Sequence, residues 1–276
     1  MITQTLPSGR GPMAGAAGLT EAVLYDTLVN YLVSMARTVE GAMNRALDAI
    51  VGVNEQRTWA LPGEVFLLEP RINEMEIVID EHAIRLLRRG SFSDDEVRLI
   101  VAALKITNDL ERIGDLAVNL AECVISLREM PAAQTPEELA PMTSAVRAMV
   151  SKSLGALIYR NVEMAGQVLQ SDDVVDQYRD RIFDQLMQSM TQQAALVSPG
   201  MQFILATRHL ERIADHATNI AEDIIFWVRG LDVRHGRGLT LNAEAGEHPP
   251  AGGDEVIENS RALHSEVTPG CDTRPV

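Results

Sequence analysis

Aromatic residues are scarce in this chain, only 4% of its 276 residues, and the count of cysteines is two. Few aromatics, set against abundant Ala, Leu, Met and Glu, argue against a β-sandwich or barrel and for helices. Cys123 and Cys271 form no CxxC pair and no disulfide framework, which excludes a thiol-based zinc module and suits a reducing compartment. Proline is missing from three long stretches, 71–130, 142–198 and 200–248. Nothing in those stretches forces a helix to stop. No apolar run approaches the length that spans a bilayer, and the N-terminal segment has no apolar core of a signal peptide. A cytoplasmic protein is expected. Cations are also in short supply: 24 Lys and Arg stand against 39 Asp and Glu, for a formal net charge of −15. Such a chain repels nucleic acid and anionic lipid, and it suits cations or basic protein patches.

Catalytic signatures are missing as well. There is no nucleophile–base–orienter set, no glycine-rich phosphate loop and no zinc spacing, so no enzymatic activity is expected. A ferritin-like di-metal oxidase needs Glu-x-x-His pairs. The residues three before the six histidines are Ile79, Ala206, Ile213, Asp232, Ala245 and Arg261, none of them Glu.

What the chain does have is a repeat. Leu110-Glu111-Arg112-Ile113-Gly114-Asp115-Leu116-Ala117-Val118-Asn119-Leu120-Ala121-Glu122 returns as Leu210-Glu211-Arg212-Ile213-Ala214-Asp215-His216-Ala217-Thr218-Asn219-Ile220-Ala221-Glu222, identical at nine of thirteen positions. A period of this length marks a duplicated supersecondary unit. The likeness extends outward. Ala46–Ile50 resembles Ser153–Leu157, and Ile72, Met75 and Ile79 match Val175, Tyr178 and Ile182. The offsets predict a longer first hairpin connection, with Trp59, Pro62 and Gly63 in the extra segment.

Six helices are predicted. The first runs from about Thr20 to Val53 and the second ends near Arg89. The third starts at the capping-box spacing Ser93-Asp94-Asp95-Glu96 and ends near Arg128. A fourth begins at a second such box, Thr135-Pro136-Glu137-Glu138, with a kink at Pro141. A fifth spans about Asp172 to Met190. The sixth starts at Ser198-Pro199 and ends at Gly230. The expected fold is all-α, two homologous antiparallel three-helix bundles in tandem: residues 20–130 and 131–230, between a disordered leader (1–19) and a disordered polar tail (231–276).

On the third helix Ile106, Leu110, Ile113, Ala117, Leu120, Val124 and Leu127 alternate in steps of four and three, one continuous core seam. Leu210, Ile213, Ala217, Ile220 and Ile224 repeat it. The acids fall elsewhere. At 100° per residue Glu111, Asp115 and Glu122 lie within about 40° of one another, roughly opposite the seam. Glu211, Asp215 and Glu222 repeat that stripe, with Asn119 and Asn219 at its margin. An outward acidic stripe is most often a solvated face with local Glu–Arg pairs. Yet Glu111–Asp115 and Glu211–Asp215 place like charges on adjacent turns, which costs a few tenths of a kcal/mol unless a cation offsets it. Asp172–Asp176 has the same spacing, whereas the matching first-half residues, Glu69 and Asn73, are a weaker set. Hard carboxylate oxygens suit Mg²⁺, Ca²⁺, Mn²⁺ and iron.

Taken together, the twice-used L-E-R-I-(G/A)-D-x-A-x-N-(L/I)-A-E motif, Ile79-Asp80-Glu81 with Ala83–Leu87, and Asn219–Ile225 resemble the PhoU family, over about Leu24 to Gly230. The resemblance implies two three-helix bundles, a cytoplasmic location and homodimers. It implies negative control of phosphate-starvation signalling and phosphate uptake, through a sensor histidine kinase and the ATPase of the phosphate ABC transporter. It also implies metal on E(D)xxxD motifs, with iron, manganese, magnesium or zinc as the candidate ions. These motifs map onto Glu111 and Asp115, Asp172 and Asp176, and Glu211 and Asp215. From the acid pairs and the net charge, the second bundle is expected to bind metal better. The alternative is a metal-binding or purely structural helical adaptor without a phosphate role.

Overall fold

The computed structural model describes residues 14–130 and 134–234. Among them are seven α-helices and no strand. The helices are α1 (Ala14–Val51), α2 (Leu61–Leu87), α3 (Asp94–Arg128), α4 (Leu139–Tyr159), α5 (Val162–Leu169), α6 (Asp172–Gln192) and α7 (Val197–Arg229). Helices α1–α3 form one antiparallel three-helix unit. In the second unit α4 and α7 match α1 and α3, and α5 with α6 together takes the place of α2.

The extra helix comes from one break. Arg160 adopts a left-handed backbone, φ 49°, and Asn161 then caps α5 by accepting from the Met164 N–H at 2.9 Å. Other expectations need correction as well. The second capping box does not form: α4 starts later, at Leu139, and its preceding residue Glu138 makes no side-chain cap bond. Pro141 therefore lies in the first turn, where its missing N–H forfeits no helical bond and forces no kink. Pro62 and Gly63 belong to the first turn of α2, leaving Trp59 in the longer connection. Helix α1 begins inside the expected leader, at Ala14, and residues 1–13 lie outside the described residues. At the other end Val233 is 8% exposed and joins the core, so the ordered body passes position 230; residues 235–276 lie outside the described residues.

The local signals at α3 and the end of α7 hold. Ser93 accepts from the Glu96 N–H, and the Glu96 carboxylate accepts from the Ser93 N–H at 2.7 Å. Gly230 closes α7 with φ 67°, its N–H bonding to Phe226 O at 2.8 Å. The predicted seams of both motif helices are buried throughout.

Inside each motif helix one pair of residues exchanges a methyl group between the repeats. A Cβ added at Gly114 would lie 3.1 Å from Ile72 Cδ1. In the second repeat Ala214 and Val175, both buried, stand at these places. Glycine faces the larger Ile, and alanine faces the smaller Val, so the summed volume is kept.

The two repeats do not hang on a linker; they pack side by side through α3 and α7, and through α1 and α4. Polar bonds cross that junction. Lys105 Nζ donates to Asp223 at 2.7 Å. Asp109, only 7% exposed, meets His216 Nδ1 at 2.7 Å and accepts from Asn219 Nδ2 at 3.2 Å. Arg147 of α4 donates to Asn44 at 2.7 Å and Asp48 at 2.6 Å on α1.

Candidate functional site

Each repeat gathers carboxylates where its second helix lies against its motif helix. In the first repeat Glu111 is half-buried and Asp115 more open, with side chains 17% and 39% exposed. The stripe is therefore less outward than its angular position suggests, because α2 covers its edge. Arg112, from the same helix, reaches Glu111 at 3.5 Å and Asp115 at 3.7 Å. Across from them stands Glu76 of α2, with Asp80 one turn on. Burial raises the Glu111 carboxyl, and the charges of Asp115 and Glu76 raise it further against the pull of Arg112. Glu76 is raised by burial and by Asp80, and also by Asp115.

Glu76-Ile77-Val78-Ile79-Asp80 is itself an ExxxD stretch that the sequence reading passed over. The register set by Ile72 and Val175 directed it to Glu69 and Asn73 instead. Those two bond to each other, Asn73 Nδ2 donating to Glu69 at 3.4 Å. The spacing signal for Glu76 and Asp80 was present two turns further along α2.

The second repeat brings together all four of its expected residues, Asp172 and Asp176 from α6 with Glu211 and Asp215 from α7. Asp215 keeps contact with solvent, but the protein around it and then the charges of Asp172, Glu211 and Asp176 raise its carboxyl. Asp172 is raised by burial and by Asp176, and also by Asp173 and Glu211, against a bond from the Thr218 hydroxyl at 3.5 Å. Beside Asp176 and Glu211 lies Arg179. It donates to Asp176 at 2.8 Å, to Asp180 and to Glu211. The guanidinium thus stands where a cation bridging Asp176 and Glu211 would sit. Among the described residues, no group of three His, Cys, Asp or Glu side chains converges on one point as placed.

Of the residues outside the stripes, His216 belongs to the Asp109 network at the junction of the repeats. Burial and then the Glu122 charge push the Cys123 thiol up to about 11, which leaves it an unreactive core residue at neutral pH. The donor set at both clusters is oxygen only. That chemistry fits magnesium, manganese and iron better than zinc, which prefers nitrogen and sulfur.

Fold and site define a duplicated three-helix-bundle protein whose distinctive chemistry is paired carboxylates, without a formed catalytic constellation among the described residues. A family model described as the PhoU domain matches it twice, over residues 32–124 and 139–224, one match on each repeat. The chain is 36% identical over 222 residues to the phosphate-specific transport system accessory protein PhoU homolog of Pseudomonas aeruginosa, covering 79% of this chain and 89% of that one. The homolog of the same name from Pseudomonas putida is 34% identical over 209 residues, 75% of this chain and 79% of its own. The crystal structure of PhoU from Pseudomonas aeruginosa superimposes with TM-score 0.72 at 33% identity, over 76% of this chain and 99% of that one. The chain belongs to the PhoU family. No described helix is long and apolar enough to cross a membrane.

Proposed function

We propose that this protein is a non-enzymatic, cytoplasmic regulator of phosphate homeostasis. It restrains phosphate-starvation signalling and phosphate uptake through contacts with a sensor histidine kinase and with the ATPase of the phosphate ABC transporter, acting as a homodimer. The observation that carries this reading is the double PhoU-domain match, together with relatives named as accessory proteins of the phosphate-specific transport system. Deleting the gene should raise a phosphate-starvation reporter in phosphate-replete cells, and the cloned gene should restore repression. Unchanged reporter output and unchanged phosphate uptake, with any paralogue also removed, would leave an adaptor without a phosphate role.

The gathering of like-charged carboxylates on facing helices favours a second property, binding of divalent or trivalent cations on the stripes. Glu111 with Asp115 would hold the ion in the first repeat, and Asp172, Asp176, Glu211 and Asp215 in the second; bound metal would supply charge neutralisation between neighbouring helices. We infer the reverse of the ranking expected from the sequence. In the second repeat Arg179 is hydrogen-bonded to Asp176 at 2.8 Å and must be displaced first, whereas in the first Glu76 adds a carboxylate and Arg112 makes only the longer contacts of 3.5 and 3.7 Å. Protein grown with added iron and manganese should lose more metal on Glu111→Ala with Asp115→Ala than on Glu211→Ala with Asp215→Ala. Background metal in the wild type and both variants would make the stripes solvated faces only.

A further inference from the structure

The chain carries 15 more acids than bases, yet one groove is lined by three arginines, of which, among the described residues, only Arg45 is paired with an acid, Glu64. It lies between α1 and α2, encloses about 510 Å³, and is lined by Arg37, Arg45 and Arg71 with no carboxylate among its walls. That volume suits a small ligand. The sequence shows arginines scattered along the helices; only the packing of α2 on α1 collects these three.

Their states differ. Arg45 is held in place, donating through Nη1 to Gly41 O at 2.7 Å and through Nε to Glu64 at 2.8 Å. Gly41 makes that grip possible, since a Cβ there would lie 3.2 Å from Nη1. Arg37 and Arg71 make no hydrogen bond or ion pair among the described residues, and both are exposed. Asn30 and Ser34 supply further neutral donors along the same face of α1. Two unpaired guanidinium forks beside a third fixed one form an anion receptor, because each fork matches two oxygens of a phosphoryl group. Arg37 and Arg45 are eight residues apart, about 12 Å along the helix axis. A single phosphate does not fill that span; a chain of phosphoryl groups does.

The groove is not a by-product of the duplication. In the register of the repeats Ser144 stands at the place of Arg37 and Val174 at that of Arg71. Nor is it matched by the cavity between α6 and α7, whose Arg179 is already bonded to three carboxylates. We propose that the α1–α2 groove binds an oligophosphate anion, with Arg37 and Arg71 gripping successive phosphoryl groups and Arg45 fixing one end. Val33 and Leu68 give the groove an apolar wall, on which the base of a nucleotide would rest.

Calorimetric titration of the full chain tests this, with tripolyphosphate and with ATP as separate probes. EDTA is present throughout, so that metal on the carboxylate stripes cannot bridge to phosphate. Saturable binding of one probe molecule per chain is expected. Arg37→Gln and Arg71→Gln should each weaken it on the order of tenfold, and Arg208→Gln, on α7 and outside the groove, should leave it unchanged. Equal affinity for the two probes identifies the phosphate chain as the whole determinant; tighter ATP binding adds the apolar wall. No saturable binding of either probe, or an equal loss in Arg208→Gln, overturns the proposal. Circular dichroism confirms that the variants fold, and the outcome is independent of any reporter result in cells.

Discussion

Glu76 and Arg179 occupy the same place in the two repeats, counted from Ile72 and Val175, and they carry opposite charge. Around Glu76 the first repeat leaves its acids to repel one another, with Arg112 reaching in from the side at 3.5 and 3.7 Å. Around Arg179 the second repeat has an internal counter-ion bonded to Asp176 and Glu211. Duplication thus preserved the acids of the motif helices while the facing helices diverged. One cluster holds a bonded internal counter-ion, while the other has an arginine only at longer range. A shared motif does not make two equivalent sites, because the partner helix decides the electrostatics.

The largest expected effect follows from removing that internal counter-ion. Arg179→Ala leaves Asp172, Asp176, Glu211 and Asp215 facing one another, and urea unfolding in EDTA should show a loss of about 1–2 kcal/mol, between the values for exposed and buried pairs. Added manganese should restore part of it. Glu76→Ala in the first repeat removes a repelling charge and should be neutral or slightly stabilising. Equal losses from both changes would break the comparison.

A second contrast concerns packing. Gly114→Ala gains helix propensity but presses a methyl onto Ile72 at 3.1 Å. The two terms are each about 1 kcal/mol, so the single variant should be close to neutral. Ile72→Val alone opens a small gap and costs about 1 kcal/mol. Combined, they copy the Val175–Ala214 pair of the second repeat. The double variant should exceed the sum of the singles by about 1 kcal/mol in a denaturation cycle. Additivity would mean that the exchanged methyl is coincidence.

The helical seams, the α3 capping box, the Gly230 stop and the duplication were legible because each is a local or periodic signal. The break at Arg160 was not. A non-glycine residue in the left-handed region carries no reliable sequence mark, and only Asn161 beside it is a cap former. The second capping box misled because Thr135-Pro136 offers the right residues four positions before the helix begins. Asp109 was invisible as a junction residue, since its partners His216 and Asn219 come from the other repeat. Glu76 and Asp80 were hidden differently: their spacing was readable, but the repeat register pointed to Glu69 and Asn73. Long-range pairing, and not local preference, decides which helical acids meet.

The smallest expected effect is a matter of pH. Glu76 and Glu111 in the first repeat, and Asp172 and Asp215 in the second, all have carboxyls raised above their ordinary values by burial and by neighbouring acids. A raised folded-state value means that the folded protein holds these protons more tightly than the unfolded chain. Their contribution therefore favours folding at acid pH and is lost as the pH rises from the ordinary carboxylate range through the raised values. At neutral pH, without metal, the ionised stripes are a net cost. Glu111→Gln should then stabilise the metal-free protein by about 0.3 kcal/mol at pH 7 and by less at pH 4, since it removes a like-charge pair with Asp115. Asp172→Asn should act alike but more weakly, because Arg179 already offsets its neighbour Asp176. Melting curves across that pH range in EDTA measure both. If Glu111→Gln destabilised the protein at pH 7, its pairing with Arg112 would outweigh repulsion from Asp115, and the first repeat would be as well neutralised as the second.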